Sequence, residues 1–124
     1  MPLVRIDSTD APLDLLERLG QAVHDALVEA IGIPTDDHFQ VLSSGASRVI
    51  ADPGYVGVSR DEHAVIVQVV LRSGRTVEQK KAFYAAVAAK ASAAGVEPRN
   101  VTIVLIENEL EDWSFGEGIA QYLR

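Results

Sequence analysis

The chain has 124 residues, 48% hydrophobic and 23% charged, which is one domain's worth with enough apolar material for a core. Its formal net charge of −7, with 11 scattered Lys and Arg, argues against nucleic-acid binding, which needs a clustered basic face. There is no cysteine, hence no disulfide or thiolate chemistry, and no apolar run near the roughly 18 residues of a membrane-spanning helix. The N-terminus lacks the basic-then-apolar pattern of a secretory signal, so a soluble cytoplasmic protein without membrane contact is expected. An acidic field repels anions overall. A small carboxylate ligand therefore requires individual arginines placed in a pocket.

PLVRID, residues 2–7, alternates apolar and polar positions and predicts a half-buried strand. Ser8, Thr9 and Asp10 are candidate N-caps, and Pro12 suits a first helical turn. Leu16, Leu19, Val23, Ala26, Leu27 and Ala30 then recur at three- and four-residue spacing, an amphipathic helix that Gly32 and Pro34 end. A second strand is expected at about 38–43. The following segment, SGASRVIADPGYVGVSRDEH, carries most of the turn residues and reads as a long ordered loop with a short strand at 48–51.

The same order then returns. Ala64 to Leu71 is so uniformly apolar that it predicts a strand buried on both faces. The turn Arg72-Ser73-Gly74-Arg75 precedes Thr76, a candidate cap for a helix of strong propensity that Gly95 and Pro98 terminate. NVTIVLIEN is the next strand. The halves superpose in register: Gly32 falls on Gly95, PLVRID on VIVQVV and FQVL on TIVL.

The predicted fold is therefore α+β, a tandem βαβ repeat with units at about 2–43 and 64–107 and a C-terminal segment at 108–124. It comprises a four-stranded parallel or mixed sheet with two helices on one face, in a single domain spanning 1–124. The other sheet face must be buried elsewhere, which predicts a symmetric homo-oligomer. The tail GEGIAQYLR carries weak β signals for pairing with a neighbouring subunit.

Four stretches carry a family resemblance: the MPL start, VHDALVEA…GIP…D…FQ, RT…EQK, and ENELEDWSFGEGIAQY. Together they span nearly the whole chain, and the chain resembles the tautomerase superfamily, closest to its malonate semialdehyde decarboxylase family. The resemblance implies a homotrimer without cofactor that acts on a small carboxylate-bearing substrate. It implies that Pro2, after Met1 removal, is the catalytic residue, and that Asp37 positions water or substrate. Arg75 matches a carboxylate-binding arginine, and Arg72 a second, although the turn here is one residue longer than the family's R-P-R. Trp113 and Phe115 match the pocket wall. The expected activity is decarboxylation (a carbon–carbon lyase) or keto-enol isomerisation, with hydration as a further possibility; a non-catalytic binding protein on the same trimer is the alternative.

The chemistry of these residues supports several routes. An α-amino group titrates near 7.7–8.0 in a reference peptide; arginines beside it lower that value and a carboxylate raises it. A neutral Pro2 amine can move a proton between carbon and oxygen. A cationic one can stabilise the oxyanion left by a departing carboxylate, and a nucleophilic one can form an iminium with an aldehyde. His24, His38 and His63 have no metal-ligand spacing, and no metal is expected.

Overall fold

The computed structural model describes residues 2–45 and 48–123. Expectations touching Met1, Ala46, Ser47 and Arg124 lie outside the described residues. Strand β1 (Leu3–Ser8), helix α1 (Leu13–Ala26, continued by a π turn over Leu27–Ile31) and strand β2 (Phe39–Ser44) form the first unit. Strand β3 (Val65–Arg72), helix α2 (Val77–Ala94) and strand β4 (Val101–Asn108) form the second. Within each unit the strands are parallel, as a helical crossover requires, and the units join through antiparallel β1 and β3, giving the order β2-β1-β3-β4. No helix among the described residues is long and apolar enough to cross a membrane.

Register decides which side chains form the core. Val4 and Ile6 of β1 share a face with Val67 and Val69 of β3, and all four are essentially inaccessible. Leu16, Leu19 and Val23 of α1 and Phe83, Val87 and Ala91 of α2 cover that face. Phe83 is the largest side chain buried there. Phe83→Ala is expected to destabilise the fold by about 3–5 kcal/mol, measured by denaturant unfolding at fixed protein concentration.

Helix ends follow local chemistry. Thr76 caps α2 in a reciprocal box, its hydroxyl accepting from the Gln79 amide while Gln79 Oε1 accepts from the Thr76 amide. Gly32 and Gly95, at equivalent places in the two units, end their helices in the left-handed region, with φ of 82° and 97°. The start of α1 differs from expectation. Pro12 occupies the cap position and makes no side-chain cap, while the Ser8 hydroxyl accepts from the Ala11 amide one turn earlier.

Two further expectations are corrected. The segment 48–51 is not a strand: the Val49 amide donates to the Thr9 hydroxyl at 2.7 Å, and that hydroxyl in turn reaches the Val49 carbonyl. One threonine thus occupies the groups a ladder would have used. The loop is nevertheless ordered by Arg60, whose Nη1 donates to the carbonyls of Asp52, Tyr55 and Val58. Strand β3, expected to be buried on both faces, alternates between buried and half-buried positions. Both helices lie on one side, so the opposite face keeps Leu3, Phe39, Val41, Val104 and Ile106 exposed.

Candidate active site

Pro2 lies one residue ahead of β1 and is fully buried. The register sets its neighbours. Leu3 pairs with Phe39 on one side and Val70 on the other, so Pro2 sits between the entry to β2 and the Leu71–Arg72 end of β3. Asp37 and His38 lead into β2, and Arg72 pairs across with Asn108 at the end of β4. One end of the sheet thus collects the chain's first residues, the Pro34–His38 turn and the β3–α2 turn.

The β3–α2 turn carries both arginines. Gly74 turns the chain at φ 116°, and the Ser73 amide donates to the Asn108 carbonyl at 2.8 Å. Arg75 is then directed back over the strand end, its Nη1 donating to the Arg72 carbonyl at 3.1 Å. Burial and then the neighbouring Arg72 charge push the Arg75 pKa below its ordinary value, with Glu107 and Tyr122 opposing. Arg75 stays a cation at neutral pH, since a guanidinium titrates so far above it. Glu107 is engaged by Lys80 at 2.9 Å, and that hydrogen bond, more than any other contact, holds its carboxyl below the usual range. The positive charge of Arg72 and Arg75 is therefore local, within a chain that is acidic overall.

The C-terminal segment builds the wall. The Trp113 indole N–H donates to Asn108 Oδ1 at 2.9 Å, and its ring stacks on Phe115 with centroids 5.6 Å apart. Phe115 also packs on Phe39 of β2 and meets Tyr122 edge-on at 5.1 Å. Gln121 closes the loop: its Oε1 accepts from the Phe115 amide and its Nε2 donates to the Gly116 carbonyl, each at 2.9 Å. Gln121 thereby folds the tail onto itself, and Gln121–Leu123 form a short 3-10 turn.

That clamp delivers Tyr122, which no sequence signal had singled out although it lies in the ENELEDWSFGEGIAQY stretch. Burial and then the Asp37 charge push the Tyr122 phenol above its ordinary value, while Arg72 and Arg75 pull it down. A group that feels all three side chains lies among them. Phe39 was likewise not anticipated as part of the wall; in sequence it is an ordinary strand position. Asp37 is half-buried in a turn whose amide donates to the Pro34 carbonyl at 3.1 Å. His24 of α1, buried, holds the same turn through the Thr35 carbonyl at 2.9 Å and stacks on His38 at 4.3 Å. The structure thus brings Pro2, Asp37, Arg72, Arg75, Trp113 and Phe115 to one end of the sheet.

Comparison with known proteins agrees with this architecture. A family model described as tautomerase enzyme matches residues 37–116, more than half of the chain. The chain belongs to the tautomerase family. It is 37% identical over 126 residues to the probable tautomerase YusQ of Bacillus subtilis (strain 168), covering 99% of both proteins. Among solved structures, it matches a malonate semialdehyde decarboxylase inhibited by 3-bromopropiolate at 40% identity and a TM-score of 0.90, covering 98% of this chain and 94% of that one. A second malonate semialdehyde decarboxylase, described in terms of decarboxylase and hydratase activities, matches at 33% identity and a TM-score of 0.85, covering 98% and 95%. The protein is thus a tautomerase-superfamily enzyme. The segment matched by the family model includes Asp37, Arg72, Arg75, Trp113 and Phe115, whereas Pro2 and Tyr122 lie outside it. The two are joined to the site by the tertiary fold.

Proposed function

We propose that this enzyme decarboxylates a small β-oxo acid of the malonate semialdehyde type, without cofactor, through the secondary amine of Pro2 exposed by removal of Met1. The observation that carries this reading is the convergence of a buried Pro2, two arginines and Asp37 beside an aromatic wall. Arg75 binds the substrate carboxylate through its planar fork, with Arg72 supplying further positive charge. The cationic Pro2 amine faces the aldehyde oxygen. As the C–C bond breaks, carbon dioxide leaves and the bonding electron pair moves through the α-carbon onto that oxygen. Charge appears there only in the transition state, where the ammonium N–H is already placed. Protonation at carbon then yields the shorter aldehyde. Asp37 stabilises the cationic amine, Tyr122 donates from its hydroxyl, and Trp113 and Phe115 exclude water from the reacting carbon.

A second reading, keto-enol tautomerisation of an oxo acid, is favoured by the description of the Bacillus subtilis relative as a probable tautomerase. It uses the same residues with Pro2 neutral. The two readings have opposite pH dependence: the decarboxylase loses activity as pH rises through the amine pKa, and the proton-transfer enzyme gains it. The deciding experiment gives protein shown by mass analysis to lack Met1 malonate semialdehyde and the enol of phenylpyruvate in parallel. Faster carbon dioxide release, declining with pH, is expected. Enol-to-keto conversion alone, rising with pH, would refute the decarboxylase reading.

Tyr122 supplies a separate check. Its pKa, raised chiefly by burial, keeps the phenol protonated at neutral pH, where it is a hydrogen-bond donor. Tyr122→Phe is expected to cost about tenfold in kcat/KM and to leave the alkaline limb of the pH profile unmoved. A displaced limb would show that Tyr122, not the amine, titrates there. The half-exposed apolar sheet face supports a trimer that buries Val104, Ile106, Val41 and Phe39 between subunits.

A further inference from the structure

The internal repeat places a second cavity where the first unit's image of the Pro2 site falls. Moving 63 residues along the chain takes Pro2 to Val65, Gly32 to Gly95 and Asp37 to Asn100. The antiparallel β1–β3 pairing makes the two places equivalent ends of one sheet. At that opposite end lies a cavity of about 320 Å³, and Val65, Gly95 and Asn100 all line it. Its floor is apolar, with Leu16, Leu19 and Val96 beside Val65. The volume is at the lower bound for small-molecule pockets, and an apolar floor under a few polar groups is their usual construction.

The chemistry of this cavity is inverted relative to the first. Val65 has no amine, so the site has nothing to react with an aldehyde. Arg75 maps to Pro12, so it has no carboxylate fork. Asp10 stands at the mouth instead, its Oδ2 3.1 Å from His63 Nδ1, with a side chain 47% exposed. Glu62 flanks His63 on the other side at 3.5 Å. Glu97 and Asp61 are both engaged by Arg99, at 2.6 and 2.7 Å. Of these groups Asp10, His63 and Glu97 line the cavity itself, and no lysine or arginine among the described residues does, so the lining is anionic while His63 is neutral. It repels the carboxylate substrates that the Arg75 end attracts.

We propose that this cavity is a binding site for a small organic cation, a monoammonium compound with a compact hydrocarbon body. The ammonium pairs with the Asp10 carboxylate at the mouth, and the hydrocarbon fills the space over Leu16, Leu19, Val65 and Val96. No bond is made or broken there. The proposal is independent of the reaction assigned to Pro2.

Benzylamine, benzyl alcohol and benzoate, similar in size and differing in charge, test it on the intact protein by heteronuclear NMR titration. Saturable shifts are expected with benzylamine, centred on Asp10, His63 and Val96, weaker ones with benzyl alcohol and none with benzoate. Asp10→Asn should weaken benzylamine binding about tenfold with unchanged thermal unfolding and unchanged turnover at the Pro2 end. The proposal is overturned by the lack of saturable benzylamine shifts at millimolar concentration, by equal affinity for the alcohol, or by shifts gathered instead at Arg75 and Tyr122.

Discussion

Pro2→Ala is expected to lower kcat by about 10²–10⁴-fold, the range that a positioned acid or base contributes. The substitution leaves a chain-terminal primary amine at the same place, so the loss measures the secondary amine and its ring-held direction rather than charge alone. Pro2 is fully buried at the lip of β1 and offers no ladder N–H, so its replacement leaves the β1–β2 and β1–β3 pairs intact. Circular dichroism and native mass are therefore expected to be unchanged. Undiminished turnover in Pro2→Ala would remove the amine from the mechanism. Retaining Met1 makes the same test without a substitution at Pro2: the nitrogen becomes an amide, and activity is expected to disappear with the fraction of uncleaved chains.

Arg75→Ala is expected to cost about 10²–10³-fold in kcat/KM, as for loss of a pre-positioned charged donor in a water-poor site. Arg75 is partly buried, and the adjacent Arg72 charge makes its placement unfavourable without an anionic partner. Glu107 compensates only in part, because its carboxylate is drawn to Lys80. Removing Arg75 relieves that repulsion, so the variant is expected to fold at least as stably as the parent in thermal unfolding. Loss of activity with unchanged or raised stability is the signature of a group placed for a ligand. Arg75→Lys is expected to recover only a fraction, since an ammonium keeps the charge and loses the fork. Full activity in Arg75→Ala would assign carboxylate binding to Arg72.

The parts of the fold legible in the sequence are those where one residue's neighbours along the chain decide its state. Alternation in LVRID, helical spacing from Leu16 to Ala30 and the Thr76 cap are all local, and each element lies where its pattern indicates. The repeat was legible because equivalent positions need equivalent residues, as Gly32 and Gly95 show through their left-handed caps. The segment at 48–51 misled because its composition is strand-like, whereas a strand also needs a partner; Thr9, about forty residues away, took the backbone groups of Val49 instead. The Ala64–Leu71 run predicted burial on both faces, but that depends on what covers the second face, which the described residues of one chain leave half-buried.

The candidate site divides along the same line. Residue types suited to the chemistry were visible: a proline at the chain start, arginines around a turn, a lone tryptophan in a polar context. Tyr122 was not, because its position depends on Gln121 folding the tail onto Phe115 and on the ring contact that follows. In the sequence His24 showed only that it lacks metal-ligand spacing; its hold on the Thr35 carbonyl, and so on the Asp37 turn, exists only once α1 packs beside β2. The sequence by itself determined the elements, their repeat and the inventory of reactive groups, since these follow from short-range sterics, periodicity and intrinsic chemistry. Only the tertiary structure decided the strand order that sets Pro2 between β2 and β3, and the opposite charges at the two ends of the sheet. Those are outcomes of long-range strand pairing, and its register is set by burial, since a slip of one residue would turn Val4 and Ile6 of β1 away from the core.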